Sequence, residues 1–223
     1  MRIILAGSRS FGAAALDMAL EEGHDVAAVW APEGEAGGPD PWDKLTRAAE
    51  GEQLEVRVRE TPEEVAARGV DLFVAAHSHA FISSRARLAT RLGGVGYHPS
   101  LLPRHRGRDA VYWTVAMGDP VAGGSVYWLT DNVDGGPLAA QEHCMVRPGW
   151  TGSDLWRERL FAMGIELLRG VLRELDGGVI REVPQDEECS TWEPSVERPP
   201  LWRPDLLQIG ERHGFETKTQ WGG

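Results

Sequence analysis

The sequence predicts an α/β protein with a Rossmann-like, mostly parallel sheet flanked by helices, followed by an extended C-terminal tail. Over residues 1–182, short apolar runs alternate with segments of helical periodicity, which is typical of parallel strands joined by right-handed helical crossovers. Several of these runs end in histidines, at the edge where such sheets bind ligands. Residues 183–223 are rich in proline and tryptophan. We therefore predict one domain over 1–182 and a C-terminal extension over 183–223.

The first half of the chain contains strand-like runs with helices between them. The runs are RIILAG, DVAAVWA, LEVRV, VDLFVAAHSH and GVGYH, which begin at residues 2, 25, 54, 70 and 94. Helices are predicted around Phe11–Ala19, over 43–50, after Thr61 and over 83–91. Thr61 is suited to cap its helix, because Pro62 fits the first helical turn.

The second half is predicted to hold a helix, a hairpin and a long helix. The first helix covers 109–118, and residues 123–130 and 137–146 form the two strands of the hairpin. The turn between them, DNVDGG, contains an Asp-Gly-Gly sequence that is expected to supply positive φ. Residues 151–175 have the periodicity of an amphipathic helix, with Ser153 as its predicted cap. The remainder is predicted to be mostly extended.

Composition narrows the function classes. The formal net charge of −11 disfavours a broad nucleic-acid-binding surface, which normally requires a basic face. The two cysteines form no disulfide framework, and the sequence has no Cys-x-x-Cys motif, so no metal site is predicted. The N-terminal run MRIILAGS lacks the pattern of a signal peptide, and no apolar run is long enough to span a membrane. We expect a cytoplasmic protein without a membrane partner.

Two segments are candidates to hold an anionic group of a ligand. The turn AGSRSFG lacks Gly-x-Gly-x-x-Gly, so a tight strand-to-helix turn is its favoured role, but its backbone N–H groups lie at a helix start. The basic cluster RHRGR can serve the same purpose, although solvated surface arginines are the simpler interpretation. The candidate substrate-binding residues are Ser8, Arg9, Ser10, Phe11, Arg104 and Arg106.

Two motifs together carry a family resemblance. The segments GYHPSLLPRHRG (96–107) and LTDNVDGGPLAAQ (129–141) resemble the folate-dependent formyltransferases, which include glycinamide ribonucleotide, methionyl-tRNA and sugar N-formyltransferases. The resemblance covers about residues 1–180, since RIILAGSRSFGAAAL and LWRERLFAMGIELL are similar to the opening and the closing helix of such domains. It implies the formyltransferase fold and 10-formyltetrahydrofolate as the one-carbon donor, with no metal.

The resemblance also implies a set of site residues. The family's catalytic histidine and aspartate fall on His98 and Asp134, whereas its catalytic asparagine falls on Gly96 and is therefore absent. The folate pocket is expected to be formed largely by main chain around 75–81 and 127–134. The residues assigned to it are Ala76, Ser78, Ala80, Phe81, Leu129, Thr130, Asp131, Val133 and Asp134.

Formyl transfer explains why these residue types are needed. Attack of an amine on the formyl carbon builds negative charge on the formyl oxygen, to which a protonated histidine can donate a hydrogen bond. A neighbouring carboxylate orients the imidazole and stabilises its protonated form. Asp134 can also hold a water that relays the proton lost by the amine. The asparagine would add a second donor, and losing one such donor typically costs about 100- to 1000-fold in rate.

Gly96 leaves three interpretations open. Another donor substitutes, with His77 and His79 as the candidates, since residues i and i+2 of a strand share one face. Alternatively, the protein moves a methylene or hydroxymethyl unit from 5,10-methylenetetrahydrofolate, which builds no formyl oxyanion. Finally, it binds folate or docks a partner without catalysis. We favour formyl transfer, because His98 and Asp134 keep the family arrangement, and we expect Gly96→Asn to leave activity intact or raise it.

The class of acceptor is predicted by elimination. A tRNA acceptor, and nucleic acid in general, is disfavoured by the charge and by the short length that follows residue 182. Glycinamide ribonucleotide fits by size, but the turn GSRSFGAA does not resemble the phosphate loop of that branch. A small-molecule amine acceptor is the prediction that remains, and a homodimer is possible.

Overall fold

A computed structural model describes residues 1–78, 81–194 and 196, and within these ranges the core is a twisted sheet of seven strands. The strands are β1 (Arg2–Gly7), β2 (Asp25–Trp30), β3 (Val56–Arg57), β4 (Leu72–Ala76), β5 (Gly94–His98), β6 (Val121–Trp128) and β7 (Leu138–Met145). Their order across the sheet is β3-β2-β1-β4-β5-β6-β7. Strands β1 to β5 are parallel, and β6 and β7 are added antiparallel. The predicted mostly parallel α/β class is confirmed.

Helices cover both faces of the sheet. They are α1 (Arg9–Glu21), α2 (Lys44–Gly51), α3 (Pro62–Ala67), α4 (Ser84–Leu88), α5 (Ala110–Ala116), α6 (Gly152–Leu155) and α7 (Phe161–Asp176). A π-helical turn, Trp156–Leu160, links α6 to α7, so the long helix predicted over 151–175 is interrupted. No helix of the described residues is long and apolar enough to cross a bilayer.

The helix caps confirm one prediction and correct another. Thr61 caps α3 as expected, and Glu64 completes a capping box. The cap of α6 is Thr151 rather than Ser153, because the Thr151 hydroxyl accepts a hydrogen bond from the Asp154 N–H at 3.2 Å. Ser153 already lies inside the first turn, where its side chain cannot accept from the free N–H groups at the helix start.

The alternation of side chains along the strands places the site. In β1, Ile3 and Leu5 pack into one apolar layer with α1 and α7, whereas Ile4 packs into the layer on the opposite face. In β5, Tyr97 points into the first layer, where its hydroxyl donates to the Leu160 carbonyl at 2.7 Å. His98 is one residue further along, so it faces the opposite side of the sheet at the carboxyl end of β5.

The described part of the C-terminal segment packs against the body of the domain. Val183 exchanges two backbone hydrogen bonds with Leu138, at 2.8 and 2.9 Å. Further on, the Arg106 N–H donates to the Thr191 carbonyl at 3.0 Å, and the Trp192 ring lies over Gly107. This segment, predicted to be mostly extended, also contains a short 3₁₀ turn over Glu187–Cys189. The domain boundary after residue 182 stays a prediction.

Candidate active site

His98 is held at the carboxyl end of β5 with one ring nitrogen bonded and the other facing a carboxylate. Its Nε2 lies 2.7 Å from the carbonyl oxygen of His105, which only accepts, so Nε2 carries the hydrogen. Its Nδ1 lies 3.7 Å from Asp134 Oδ2, which is too far for a direct hydrogen bond. Both side chains are buried. The structure therefore brings together the two residues on which the predicted chemistry depends.

Asp134 is bound through both carboxylate oxygens. Its Oδ1 accepts a hydrogen bond from the Tyr127 hydroxyl at 2.6 Å, and its Oδ2 accepts one from the Gly107 N–H at 2.7 Å. Its backbone is left-handed, with φ of 51°. The Asp-Gly-Gly sequence therefore supplies positive φ as expected, but at Asp134 and at neither glycine. Gly136 is needed for a different reason, since a Cβ there would lie 1.7 Å from the Trp128 carbonyl oxygen.

The position of the absent asparagine is enclosed by three neighbouring side chains. A Cβ added to Gly96 would lie 3.0 Å from Leu129 Cδ2, 3.4 Å from Ala75 Cβ and 3.4 Å from Tyr127 Cε1. Tyr127 is paired directly opposite Gly96 in the antiparallel register of β5 and β6, so the two residues share a face. An asparagine side chain could enter only if Leu129 moved. Sequence reasoning missed Tyr127, and the signal that identifies it is this register.

The histidines proposed as substitute donors are placed only in part. His77 follows β4 with φ of 60°, and its Nδ1 lies 2.8 Å from the Ser8 hydroxyl. The same hydroxyl is 2.7 Å from the His77 carbonyl oxygen, to which it can donate, so the ring N–H donates to Ser8. His79 and Ala80 lie outside the described residues. The donor role of both histidines stays a prediction.

Two residues assigned to the folate pocket line a cavity of about 470 Å³, which lies between α4, residues 90–93 before β5 and the turn after β6. Leu129 and Asp131 line it, and Arg87 closes one side by an ion pair to Asp131 at 2.7 Å. Phe81 and Val133 are exposed, at 64% and 37%, so apolar surface remains available to a ligand.

The remaining residues assigned to the folate pocket lie at the end of β4 or in the turn after β6. Ala76 ends β4 and is buried, and Ser78 is half-buried just beyond it. The Thr130 hydroxyl donates to the Asn132 carbonyl at 3.1 Å within the turn.

The start of α1 is already occupied by a carboxylate of the chain. The Arg9 N–H donates to both oxygens of Asp43, at 2.8 and 3.1 Å, and Lys44 Nζ donates to the Ser10 hydroxyl at 3.0 Å. Phe11 belongs to the core, where its ring stacks on Tyr97 with centroids 5.1 Å apart. An anionic ligand group at this helix start would therefore meet the Asp43 carboxylate.

The two arginines assigned to substrate binding are paired as well. Arg106 is 5% exposed, and its guanidinium donates to Glu187 at 2.6 Å and to Gln185 at 2.7 Å. The Gln185 amide in turn donates to the Asp134 carbonyl at 2.8 Å. Arg104 is exposed and forms an ion pair with Asp119 at 3.1 Å. The C-terminal segment thus supplies the partners of Arg106.

His105 is buried between two carboxylates next to the candidate site. Its Nε2 lies 2.9 Å from Asp119 Oδ2, and its Nδ1 lies 3.1 Å from Glu193 Oε1, although the latter contact is not aligned as a hydrogen bond. Burial alone would lower the pKa of His105, but the two carboxylates outweigh it and raise that pKa. Burial opposes the charge of Asp119 too, yet His105 lowers the Asp119 pKa. No cluster of metal-ligating side chains occurs in the described ranges.

A family model described as formyl transferase matches residues 1–169, a range that includes both His98 and Asp134. The chain belongs to the formyl transferase family. This confirms the predicted resemblance to folate-dependent formyltransferases. A curated relative, mitochondrial 10-formyltetrahydrofolate dehydrogenase from Mus musculus, is 34% identical over 204 residues. The match covers 86% of this chain and 22% of the relative, so the chain spans about a fifth of the length of that protein.

Solved structures share the formyl transferase fold. Glycinamide ribonucleotide transformylase 1 from Symbiobacterium toebii has a TM-score of 0.67 and 24% identity, with 82% of this chain and 94% of that chain covered. The N-formyltransferase from Helicobacter canadensis, solved with folinic acid and dTDP-3-aminofucose, has a TM-score of 0.69 and 16% identity, with 86% and 70% covered. These similarities confirm the predicted fold.

Proposed function

We propose that the protein transfers the formyl group of 10-formyltetrahydrofolate to an amine of a small-molecule acceptor. The observation that carries this proposal is the His98–Asp134 pair, 3.7 Å apart at the carboxyl edge of a formyl transferase sheet. The names of two curated relatives that are 34% and 35% identical, both 10-formyltetrahydrofolate dehydrogenases, support the choice of donor. The exposed side chains of Phe81 and Val133 offer apolar surface to the heterocycle of such a donor.

His98 is oriented to assist through Nδ1. When bound, 10-formyltetrahydrofolate supplies the formyl carbon; the acceptor nitrogen bonds to it, the bond to the folate nitrogen breaks, and a proton passes from acceptor to folate. Because Nε2 already donates to the His105 carbonyl, a second ring hydrogen on Nδ1 requires the imidazolium. That N–H points toward the space beside Asp134, where it can stabilise negative charge on the formyl oxygen.

Asp134 is placed to move the acceptor's proton. Its Oδ2 faces His98 while the Gly107 N–H fixes its direction, so a water beside it can relay the proton released by the amine. The same carboxylate balances the charge of the imidazolium. The two residues therefore act as one unit. The reaction requires the His98 imidazolium and the Asp134 carboxylate at the same time.

We infer that the acceptor has no phosphate or carboxylate that binds at the start of α1, at Arg104 or at Arg106. The start of α1 is bound by Asp43, Arg106 by Glu187 and Arg104 by Asp119. A phosphate or carboxylate at any of these places would have to displace a carboxylate of the chain. This pattern supports an uncharged or cationic amine, in line with the net charge of −11.

The test is an acceptor screen read by mass spectrometry. We expect 10-formyltetrahydrofolate to add a formyl group to one or more amines, with phosphate-free members of matched pairs reacting better than their phosphorylated forms. His98→Ala and Asp134→Ala should lower kcat by about 100-fold or more while tryptophan fluorescence still reports folate binding. Formate release without any formylated amine would instead identify water as the acceptor.

Transfer at the methylene level is the second candidate, and Gly96 favours it because the second oxyanion donor is missing. It predicts that 5,10-methylenetetrahydrofolate is active and 10-formyltetrahydrofolate inert in the same screen. Folate binding with no product from either donor would favour a non-catalytic binding role.

A further inference from the structure

Tyr127 is the buried polar side chain that makes the shortest described contact with Asp134. Its hydroxyl donates to Asp134 Oδ1 at 2.6 Å, and the residue is 9% exposed. Burial first, and the adjacent Asp134 charge second, raise the pKa of Tyr127 well above its ordinary value of 10.0. The phenol therefore remains a neutral donor across the physiological pH range, and its hydrogen is always available to the carboxylate.

The place of Tyr127 depends on the residue opposite it. Tyr127 and Gly96 are direct partners in the β5–β6 ladder, and the Tyr127 ring edge passes 3.4 Å from where a Cβ at residue 96 would stand. Leu129 and Ala75 fill the rest of that space, at 3.0 and 3.4 Å. A Cβ at position 96 would press on Leu129 but would only touch the Tyr127 ring at van der Waals distance. A longer side chain is therefore needed to displace the ring and draw the hydroxyl away from Asp134.

We propose that Tyr127 is a positioning residue for the formyl transfer reaction, and that position 96 excludes long side chains because they would displace its ring. By binding Oδ1, Tyr127 leaves Oδ2 facing His98 Nδ1. In this chain the Tyr127 hydroxyl, opposite position 96, thus orients the Asp134 carboxylate. The family's asparagine is absent from position 96 itself. The inference rests on the proposed function, since it assigns Asp134 a part in catalysis.

The first test compares two tyrosines that each lose only a hydroxyl. Tyr127→Phe is expected to lower kcat by about 100-fold with little change in the KM for 10-formyltetrahydrofolate, because a misdirected carboxylate affects the reaction step. It should also shift the pH–rate profile, which a purely structural role would not. The matched control is Tyr97→Phe, whose buried hydroxyl bonds the Leu160 carbonyl on the other face of the sheet. Equal kcat losses in both variants, or an unchanged kcat in Tyr127→Phe, would overturn the proposal.

The second test measures coupling between the two positions. Gly96→Val, whose side chain extends beyond the Cβ, should lower kcat in the wild-type background and add little to Tyr127→Phe, because both changes remove the same contact. Additive losses would show that Gly96 serves another purpose.

A third measurement does not depend on activity. In protein labelled with ¹³C at the tyrosine ζ carbons, Asp134→Asn should move the Tyr127 resonance and leave that of Tyr97 in place. If the wild-type protein shows no formyl transfer, the proposed function fails, whereas an unmoved Tyr127 resonance refutes the contact itself. This readout also decides the matter if Tyr127→Phe does not fold.

Discussion

Asp134 receives hydrogen bonds from three parts of the chain that are far apart in sequence. Its carboxylate accepts from Tyr127 on β6 and from Gly107 in the loop after β5, and its carbonyl accepts from Gln185 in the C-terminal segment. Its left-handed backbone turns the side chain back toward the sheet edge. A carboxylate held in this way needs little reorganisation when charge develops next to it, which is the property that electrostatic catalysis requires.

Asp134→Asn tests whether the charge or only the shape is needed. An amide has only one acceptor oxygen, so its NH₂ group would face either the Tyr127 hydroxyl or the Gly107 N–H, both of which donate. We expect kcat to fall by about 100- to 10,000-fold, together with a loss of thermal stability. Asp17→Asn, on the exposed face of α1, serves as the control and should change neither quantity. An active Asp134→Asn variant would remove this residue from proton transfer.

The neighbours of Gly96 change the effect that we expect from Gly96→Asn. The sequence suggested that asparagine would leave activity intact or raise it, but its Cβ alone would press on Leu129 at 3.0 Å. We expect a loss of about 1–3 kcal/mol in the free energy of unfolding, measured in urea, as is usual for overpacking. Leu129→Ala in the same chain should restore part of that loss. An asparagine variant as stable as wild type would show that Leu129 yields without cost.

At the scale of elements, the loop after β5 and the C-terminal segment stabilise each other. Arg106 in the loop is buried against Glu187 and Gln185, and His105 lies beside Glu193. The first part of the predicted extension therefore forms the outer wall of the loop whose carbonyl positions His98. Removing it would take away both partners of Arg106 and uncover the loop, so the contacts that hold the loop in place would be lost.

Two truncations separate the parts of this segment. A chain of residues 1–196 keeps every described contact and is expected to bind folate and turn over like the full chain. A chain of residues 1–182 loses the partners of Arg106 and His105, so we expect a lower melting temperature and at least a tenfold lower kcat. Both are compared by thermal unfolding and the formyl transfer assay. Full activity of the 1–182 chain would make the segment a separate docking arm.

At the scale of the whole molecule, the site lies where the ends of β4 and β5 meet the β6–β7 turn. The two apolar layers hold β5 in place, so the direction of His98 is set by packing on both faces of the sheet. The His105 carbonyl accepts the hydrogen bond from His98 Nε2, and the His105 ring forms a buried ionic cluster with Asp119 and Glu193. This cluster links the stability of the fold to pH.

Stability should decrease as the pH rises through the folded-state pKa of His105. That pKa is raised above the ordinary value of 6.5, so the stabilisation is complete below pH 6.5 and is lost at higher pH. Asp119 and Glu193 favour the charged ring, whereas Arg104 opposes it. Urea unfolding from pH 6 to 9 should show a slope that disappears in His105→Gln and persists in His143→Gln, an exposed control. The same slope in His105→Gln would contradict this assignment.

The sequence by itself determined the fold class, and it predicted the two central residues of the candidate site. Apolar periodicity and the Thr61 cap are local signals, so they predicted the elements, although the cap of α6 was misplaced by two residues. The pair of motifs around His98 and Asp134 predicted the family, because a shared reaction requires the same side chains at the same strand ends.

Only the tertiary structure decided how these residues are surrounded. The role of Tyr127 depends on its register opposite Gly96, and Asp43 and Glu187 reach their partners from 34 and 81 residues away. Such contacts follow from the packing of distant segments, which local periodicity does not encode. For the same reason the predicted anion sites at Arg9 and Arg106 proved to be paired within the chain: a sequence shows which charges are present, whereas the fold decides which of them neutralise one another.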